Sequence, residues 1–207
     1  MRTPKLRLIA LVAAAAALPL FVSPAHAQSG VKGAFRMGGD FGGEKVMEFE
    51  YEDGTTPDVK AGNGFLLTAG GVANLLTRAG HGVDAQVNVG LKYSTIPPAN
   101  NQEVTWLRFP VEGILYYRTP KGIRLGAGTA VHLANSIKAS GGVVNGSVDF
   151  KATPGLLLQA EYMHKNMAFD LRYTAMEYEV SKGGSGSVGA SSFGAGFSFF
   201  IGPKAQR

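Results

Sequence analysis

The chain has 207 residues, of which 17% are charged and 45% hydrophobic, and it contains no cysteine. This length allows one domain with a sizeable core. The absence of cysteine excludes disulfide scaffolds, zinc–thiolate sites and thiol catalysis. No basic stripe with interleaved aromatic residues is present, so the sequence does not indicate a nucleic-acid-binding protein.

The first 27 residues have the layout of a secretory signal peptide. Basic residues lie near the start, residues 8–22 are an uncharged run rich in alanine and leucine, and residues 25–27 form a small-x-small end. The run is shorter than the roughly 20 residues of a spanning helix, which disfavours a retained membrane anchor. We expect cleavage after Ala27. The mature domain, residues 28–207, then carries 17 basic and 15 acidic side chains.

Period-two alternation of apolar and polar residues dominates the mature part and predicts β-strands. In residues 83–94, for example, valine, alanine, leucine and tyrosine alternate with Asp84, Gln86, Asn88 and Lys92. Residues 61–77 are uncharged, and 65–75 are apolar on both faces, but the glycines and asparagines of this stretch favour a strand over a buried helix. The pattern predicts eight strands at approximately 31–39, 64–75, 82–94, 103–117, 122–133, 153–164, 168–179 and 190–201.

The lengths of the predicted connections alternate along the chain. Long connections are expected at 40–63, 95–102, 134–152 and 180–189, and short ones at 76–81, 118–121 and 165–166. Outer-membrane barrels have long external loops, short periplasmic turns and an even strand number. The prediction is therefore an all-β, eight-stranded, antiparallel up-and-down transmembrane barrel. A soluble periplasmic lipocalin-like binder, with the apolar face inward, is the alternative architecture.

The polar face of the strands favours the membrane version. It is rich in glycine, alanine and serine and has few lysines or glutamates, which suits a narrow lumen better than a water-facing surface. Buried charges require partners, so we predict a lumen network in which the arginines pair with aspartates and glutamates and His132 lies next to Glu161. The network comprises Arg36, Asp84, Arg108, Glu112, Arg124, His132, Glu161, Asp170 and Arg172. It acts either as a structural plug of ion pairs or as a gate in a narrow polar path.

The chain resembles the superfamily of outer-membrane protein A-like and X-like barrels. The resemblance rests on the signal peptide, the alternating strands, the order of long and short loops, and a last strand of alternating glycine and aromatic residues at 193–200. It covers nearly all of the mature chain. One departure is the end of the chain: such barrels often end on an aromatic residue, whereas here Ile201 is followed by a six-residue tail.

Two groups of residues are candidates for chemistry. The lipid A deacylase barrels use a His-x-Ser pair. Here His132 and Ser136 are four positions apart, which separates their Cα atoms by about 13 Å along a strand and disfavours catalysis. The first long loop is acidic, and its carboxylates are weak candidates for binding a divalent cation, although a solvated hairpin is the favoured interpretation. These candidates are Glu48, Glu50, Glu52 and Asp53.

The sequence therefore predicts a non-enzymatic protein of the Gram-negative outer membrane with a role in envelope structure or surface interaction. A narrow pore or a small-molecule transport barrel is the alternative, and a lipid A-modifying enzyme is a weaker one. The expected partners are outer-membrane lipid, lipopolysaccharide and the barrel-assembly machinery, and the expected state is a monomer. No cofactor is indicated.

Overall fold

The computed structural model describes residues 31–48, 58–99, 102–140 and 146–202. These residues contain no helix that is long and apolar enough to cross a membrane. They form strands β1 Lys32–Gly42, β2 Lys45–Glu48, β3 Asp58–Lys60, β4 Gly64–Arg78, β5 His81–Ala99, β6 Gln102–Arg118, β7 Ile123–Ser140, β8 Gly146–Phe150, β9 Pro154–His164, β10 Met167–Ala175, β11 Glu177–Lys182, β12 Ser187–Gly189 and β13 Ser192–Ile201.

Eight of these strands close into an antiparallel barrel. Each pairs with its neighbours in the order β1, β4, β5, β6, β7, β9, β10 and β13, and β13 returns to pair with β1. The first and last strands meet in register from Gly33 opposite Ile201 to Gly42 opposite Ser192. This confirms the predicted eight-stranded barrel. It also shows that the last strand was correctly assigned, although a tail follows it.

The barrel is inverted relative to a soluble protein. Large apolar side chains are exposed on the outside, including Phe41, Leu115 and Phe193, whereas charged side chains are buried inside. Alternate residues of a strand face opposite sides of the sheet, so the sequence alternation produces this separation directly. The soluble lipocalin-like alternative is therefore wrong, because it requires the apolar face to point inward.

The exposed apolar surface has the height of a bilayer core. Along β1 and the residue before it, this surface runs from Val31 to Phe41, and ten residues of a tilted strand span about 25 Å. Aromatic pairs mark its loop-side edge, with Phe41 opposite Phe193 and Phe65 opposite Tyr93. At the turn side, Tyr117 stacks on His81 with ring centroids 5.7 Å apart. These rings correspond to the aromatic girdles of membrane barrels.

Three features differ from the sequence-based expectation. Residues 95–99 and 134–140 were expected in loops but continue β5 and β7 beyond the apolar belt. Residues 146–150 and 177–182 form β8 and β11, which extend this projecting sheet, and β12 pairs with β11. In β4, a register shift between Asn74 and Leu76 leaves Leu75 and Leu76 both exposed to the outside.

Candidate functional site

The lumen holds ten buried ionisable residues of Lys, Arg, Asp and Glu, balanced in sign among the described residues. All are at most 5% exposed. The cations are Arg36, Lys92, Arg108, Arg124 and Arg172, and the anions are Asp40, Asp84, Glu112, Glu161 and Asp170. The described interior therefore contains equal numbers of opposite charges, and buried charges of this kind require partners.

Four ion pairs of the described lumen join strands that are not hydrogen-bonded neighbours, and two of these pairs involve β10. Arg36 on β1 donates from Nε and a terminal nitrogen to one oxygen of Asp170 on β10, at 2.9 and 2.7 Å. Arg172 on β10 donates to Glu112 on β6 at 2.7 Å, and the amide of Asn88 donates to the second Glu112 oxygen at 3.2 Å. The first ion pair therefore spans β13, and the second spans β7 and β9, so that both join separate parts of the barrel wall.

Arg124 lies closer to the turn end and has partners on both sides. It donates to Glu161 at 2.6 Å and lies 3.3 Å from a carboxylate oxygen of Asp84. Its guanidinium also lies over the ring of Tyr116, 3.9 Å from the centroid. Arg118, at the turn-end rim, is the second cation within 3.3 Å of Asp84. This group closes the charged layer at its lower edge.

Two further cations hold the first long loop in the barrel mouth. Lys92 is paired with Asp40 at 2.8 Å and donates to the carbonyl of Gly62 at 2.7 Å. Arg108 donates to the carbonyls of Ala61 and Asn63, at 2.7 and 2.5 Å. Three consecutive carbonyls of the descending loop therefore accept hydrogen bonds from lumen cations. The loop backbone thus covers the charged layer from above.

An apolar plug fills the loop end above this layer. Trp106 is fully buried, stacks on Phe150 at 5.5 Å and meets the edge of Tyr178 at 5.8 Å. Its indole nitrogen donates to Asn135 at 2.5 Å, and Arg108 lies 4.4 Å from the centroid of its rings. The buried members of the plug are Val59, Ala61, Val104, Trp106, Ala130, Ile137, Ala139, Phe150, Met176, Tyr178 and Ala190.

A smaller apolar cluster lies at the turn end of the lumen. Ala34, Val72, Ala168 and Phe200 are buried together, with Met163 packed against them. A third cluster, of Ile114, Tyr116 and Leu157, is buried beside the charged residues. The described interior therefore has an apolar plug at the loop end, paired charges in the middle and apolar side chains at the turn end. A barrel of eight strands has an interior just wide enough to be filled in this way.

Glycines on the inner face make room for the long lumen side chains. A Cβ atom at Gly194 would lie 2.0 Å from an Asp40 oxygen, and one at Gly196 would lie 2.8 Å from a terminal nitrogen of Arg36. At Gly126 it would lie 2.5 Å from the ring of Tyr116. The alternation of glycine with large residues in the sequence is thus a packing requirement of this lumen.

The structure places the predicted network residues in the lumen but changes several partners. His132 was predicted next to Glu161, but its ring contacts the hydroxyl of Tyr178, whereas Glu161 binds Arg124. Arg108 was predicted to pair with a carboxylate, but it binds backbone carbonyls of the first loop. The pairing register explains the first difference, because it sets Glu161 opposite Arg124, eight residues from His132 along β7.

Two charged residues of the lumen were not in the predicted network. Asp40 was assigned to the first loop, yet β1 continues to Gly42 and carries Asp40 into the lumen. Lys92 was placed on the polar face but was left out of the network. Period-two alternation continued from Arg36 through Gly38 would have placed Asp40 on the inner face, but the glycines around Asp40 indicated a loop.

The residues considered for chemistry are not assembled into a site. His132 is buried on the inner face, whereas Ser136 is paired with Leu107, and a register shift separates the two positions. Among described residues, no group of three His, Asp or Glu side chains is placed to hold a metal ion. Glu50, Glu52 and Asp53 lie outside the described residues, as does the side chain of Glu48, whose backbone belongs to β2.

No protein-family model and no curated protein matches the chain. Solved structures with a similar fold include Ail, the attachment invasion locus protein of Yersinia pestis, bound to the heparin analogue sucrose octasulfate. It has a TM-score of 0.46 and 17% identity, over 83% of this chain and all of that chain. Neisserial surface protein A has a TM-score of 0.45 and 13% identity, over 83% of this chain and 97% of that chain. OprG from Pseudomonas aeruginosa has a TM-score of 0.37 and 13% identity, over 84% of this chain and 95% of that chain.

The fold itself follows from the geometry of this chain. Eight antiparallel strands close on themselves, the exposed belt is apolar and the buried interior is charged. In a bilayer all backbone groups must be paired internally, and a closed barrel achieves this. The chain has the fold of the small eight-stranded outer-membrane β-barrels.

Proposed function

We propose that this chain is a non-enzymatic outer-membrane barrel that acts through its projecting loop end, in envelope structure or in binding at the cell surface. The observation that carries the proposal is the filled lumen. Paired charges and three apolar clusters occupy the described interior, and the first loop is held over the charged layer by hydrogen bonds. A barrel packed in this way is a rigid support for the surface that it holds outside the membrane.

The loop end is built as a folded surface. Strands β5 to β8, with β11 and β12, form a continuous sheet beyond the apolar belt. The backbone amide of Glu44 donates to the carbonyl of Gly189, and the amide of Gly189 donates to the Glu44 carboxylate at 2.8 Å. The first and last loops are thereby joined. We propose that lipopolysaccharide headgroups or a partner at the cell surface contact this sheet.

Conductance measurements separate this function from the alternative of a narrow pore. Purified, folded protein in planar bilayers is expected to give no discrete single-channel currents, because the charges that would line a path are bonded to one another. A bilayer containing a known porin under the same conditions is the positive control. Reproducible unitary currents that scale with protein concentration would show that the lumen conducts, and the proposal would then be wrong.

Membrane placement has its own test. Outer-membrane fractions run unboiled and boiled on a denaturing gel are expected to show two mobilities, because a closed barrel with internal ion pairs resists the detergent until heated. The same fractions are extracted with alkaline carbonate to remove peripheral protein. A chain found in the soluble fraction with a single mobility would contradict the proposed location.

Mass analysis of the purified protein would also show whether it starts at Gln28.

A further inference from the structure

The turn end of the barrel carries charges of one sign. Its described segments are the start of β1, the turns β4–β5, β6–β7 and β9–β10, and the end of β13. The only described carboxylate on residues 31–33, 76–84, 117–124, 162–168 and 201–202 is Asp84, which is buried and paired with Arg118 and Arg124. The basic rim, as we call it, consists of Lys32, Arg78, Arg118, Lys121 and Lys165.

The loop end shows no such bias. Its described, at least partly exposed side chains include five carboxylates and five lysines. Some of these are paired with each other, as in Lys151 with Glu179 at 2.9 Å. The carboxylates are Glu44, Asp58, Asp149, Glu177 and Glu179, and the lysines are Lys45, Lys60, Lys138, Lys151 and Lys182. The excess of positive charge is therefore specific to the turn end.

The basic rim lies at the edge of the lipid-facing belt. Each part of the rim has exposed apolar side chains close to its cations in the sequence, such as Val31 next to Lys32 and Met167 near Lys165. Long basic side chains can keep their stems on apolar surface while the charge reaches the headgroup level. The cations are spread over all three turns and the first strand, which matches a ring of lipid better than a single docked protein.

We propose that the basic rim binds the headgroups of anionic phospholipids in the inner leaflet of the outer membrane. Negatively charged lipid attracts lysine and arginine close to the membrane surface, and short turns of outer-membrane barrels face the periplasm. This inference rests on the membrane placement proposed above. It adds a lipid partner at the end of the barrel opposite to the proposed surface function.

The test uses native mass spectrometry of the folded protein in detergent, titrated with phosphatidylglycerol or phosphatidylcholine. The rim variant combines Lys32→Gln, Arg78→Gln, Lys121→Gln and Lys165→Gln. Its matched control removes the same charge from the loop end through Lys60→Gln, Lys138→Gln, Lys151→Gln and Lys182→Gln. We expect the wild type and the control to retain phosphatidylglycerol with about ten-fold higher affinity than phosphatidylcholine, and the rim variant to lose this preference.

The outcomes are distinguishable. Equal loss of preference in both variants, or none in either, would overturn the proposal. So would displacement of the lipid by inorganic phosphate at equal concentration, or rim-dependent binding of soluble peptidoglycan fragments in place of lipid. Each variant is first checked for the heat-dependent gel shift. A protein that shows this shift but has no lipid preference would refute the rim proposal and leave the membrane placement standing.

Discussion

Replacing Glu112 by alanine is expected to lower the free energy of unfolding of the barrel by about 3–5 kcal/mol. The substitution leaves Arg172, which is 4% exposed, without the carboxylate that it contacts at 2.7 Å. It also removes the acceptor of the Asn88 amide. An uncompensated buried charge costs far more free energy than the net contribution of the pair. Unfolding by guanidinium in detergent, followed by gel mobility, measures the change.

The control for this experiment is the double variant Glu112→Leu with Arg172→Met. It removes both charges and keeps apolar volume, so it should recover most of the stability lost in Glu112→Ala. Glu177→Ala, an exposed carboxylate at the loop end, should change stability by less than about 0.5 kcal/mol. If Glu112→Ala is as stable as the wild type, the lumen charges do not form the network described here.

The second large effect is expected at Trp106. The change to alanine should cost about 3–5 kcal/mol, because it empties a fully buried site between Phe150 and Tyr178. It also leaves the Asn135 oxygen without its donor and removes the indole over which Arg108 lies in the wild type. Because Trp106 is the only tryptophan in the chain, stability of the variant has to be followed by gel mobility or circular dichroism.

Trp106→Phe separates packing from hydrogen bonding. Phenylalanine keeps a ring beside Phe150 but has no donor for Asn135, so a loss of about 1–3 kcal/mol is expected, smaller than in the alanine variant. In the wild type, fluorescence of Trp106 should be blue-shifted and poorly quenched by acrylamide. An emission maximum typical of water, with efficient quenching, would contradict the plug.

The lumen residues could be predicted because alternate residues of a strand face opposite sides of the sheet, a relation called strand parity below. Once Arg124 is placed on the inner face of β7, alternation places Gly126 and Gly128 there too, and the same count on β9 and β10 gives Glu161, Asp170 and Arg172. Parity fixes only the face of a residue. Which charges meet depends on the relative height of the strands, and β7 and β9 are joined by a long connection whose length does not define register. The predicted contact between His132 and Glu161 failed for this reason, since eight residues along β7 correspond to about 26 Å.

The loop end could not be predicted from alternation alone. Residues 134–152 were expected to form a loop, and the positive backbone angle of Ala134, with φ of 43°, interrupts the alternation there. After this position, Asn135, Ile137 and Ala139 become the buried residues of β7. The apolar plug depends on this change of parity, because it points Ile137 toward Trp106. A sequence count that continues through Ala134 without a shift assigns these residues to the wrong face.

The ion pair between Arg36 and Asp170 has a consequence for the order of assembly. The two residues are 134 positions apart in the chain, and β13 lies between their strands in the closed barrel. The pair can form only over Gly196, after the last strand has been inserted between β1 and β10. An open sheet of the first seven strands would carry Arg36 and Asp170 into the membrane uncompensated, at a high energetic cost. Closure of the barrel and neutralisation of this pair therefore coincide, and we expect the barrel to insert only after its last strand has joined β1 to β10.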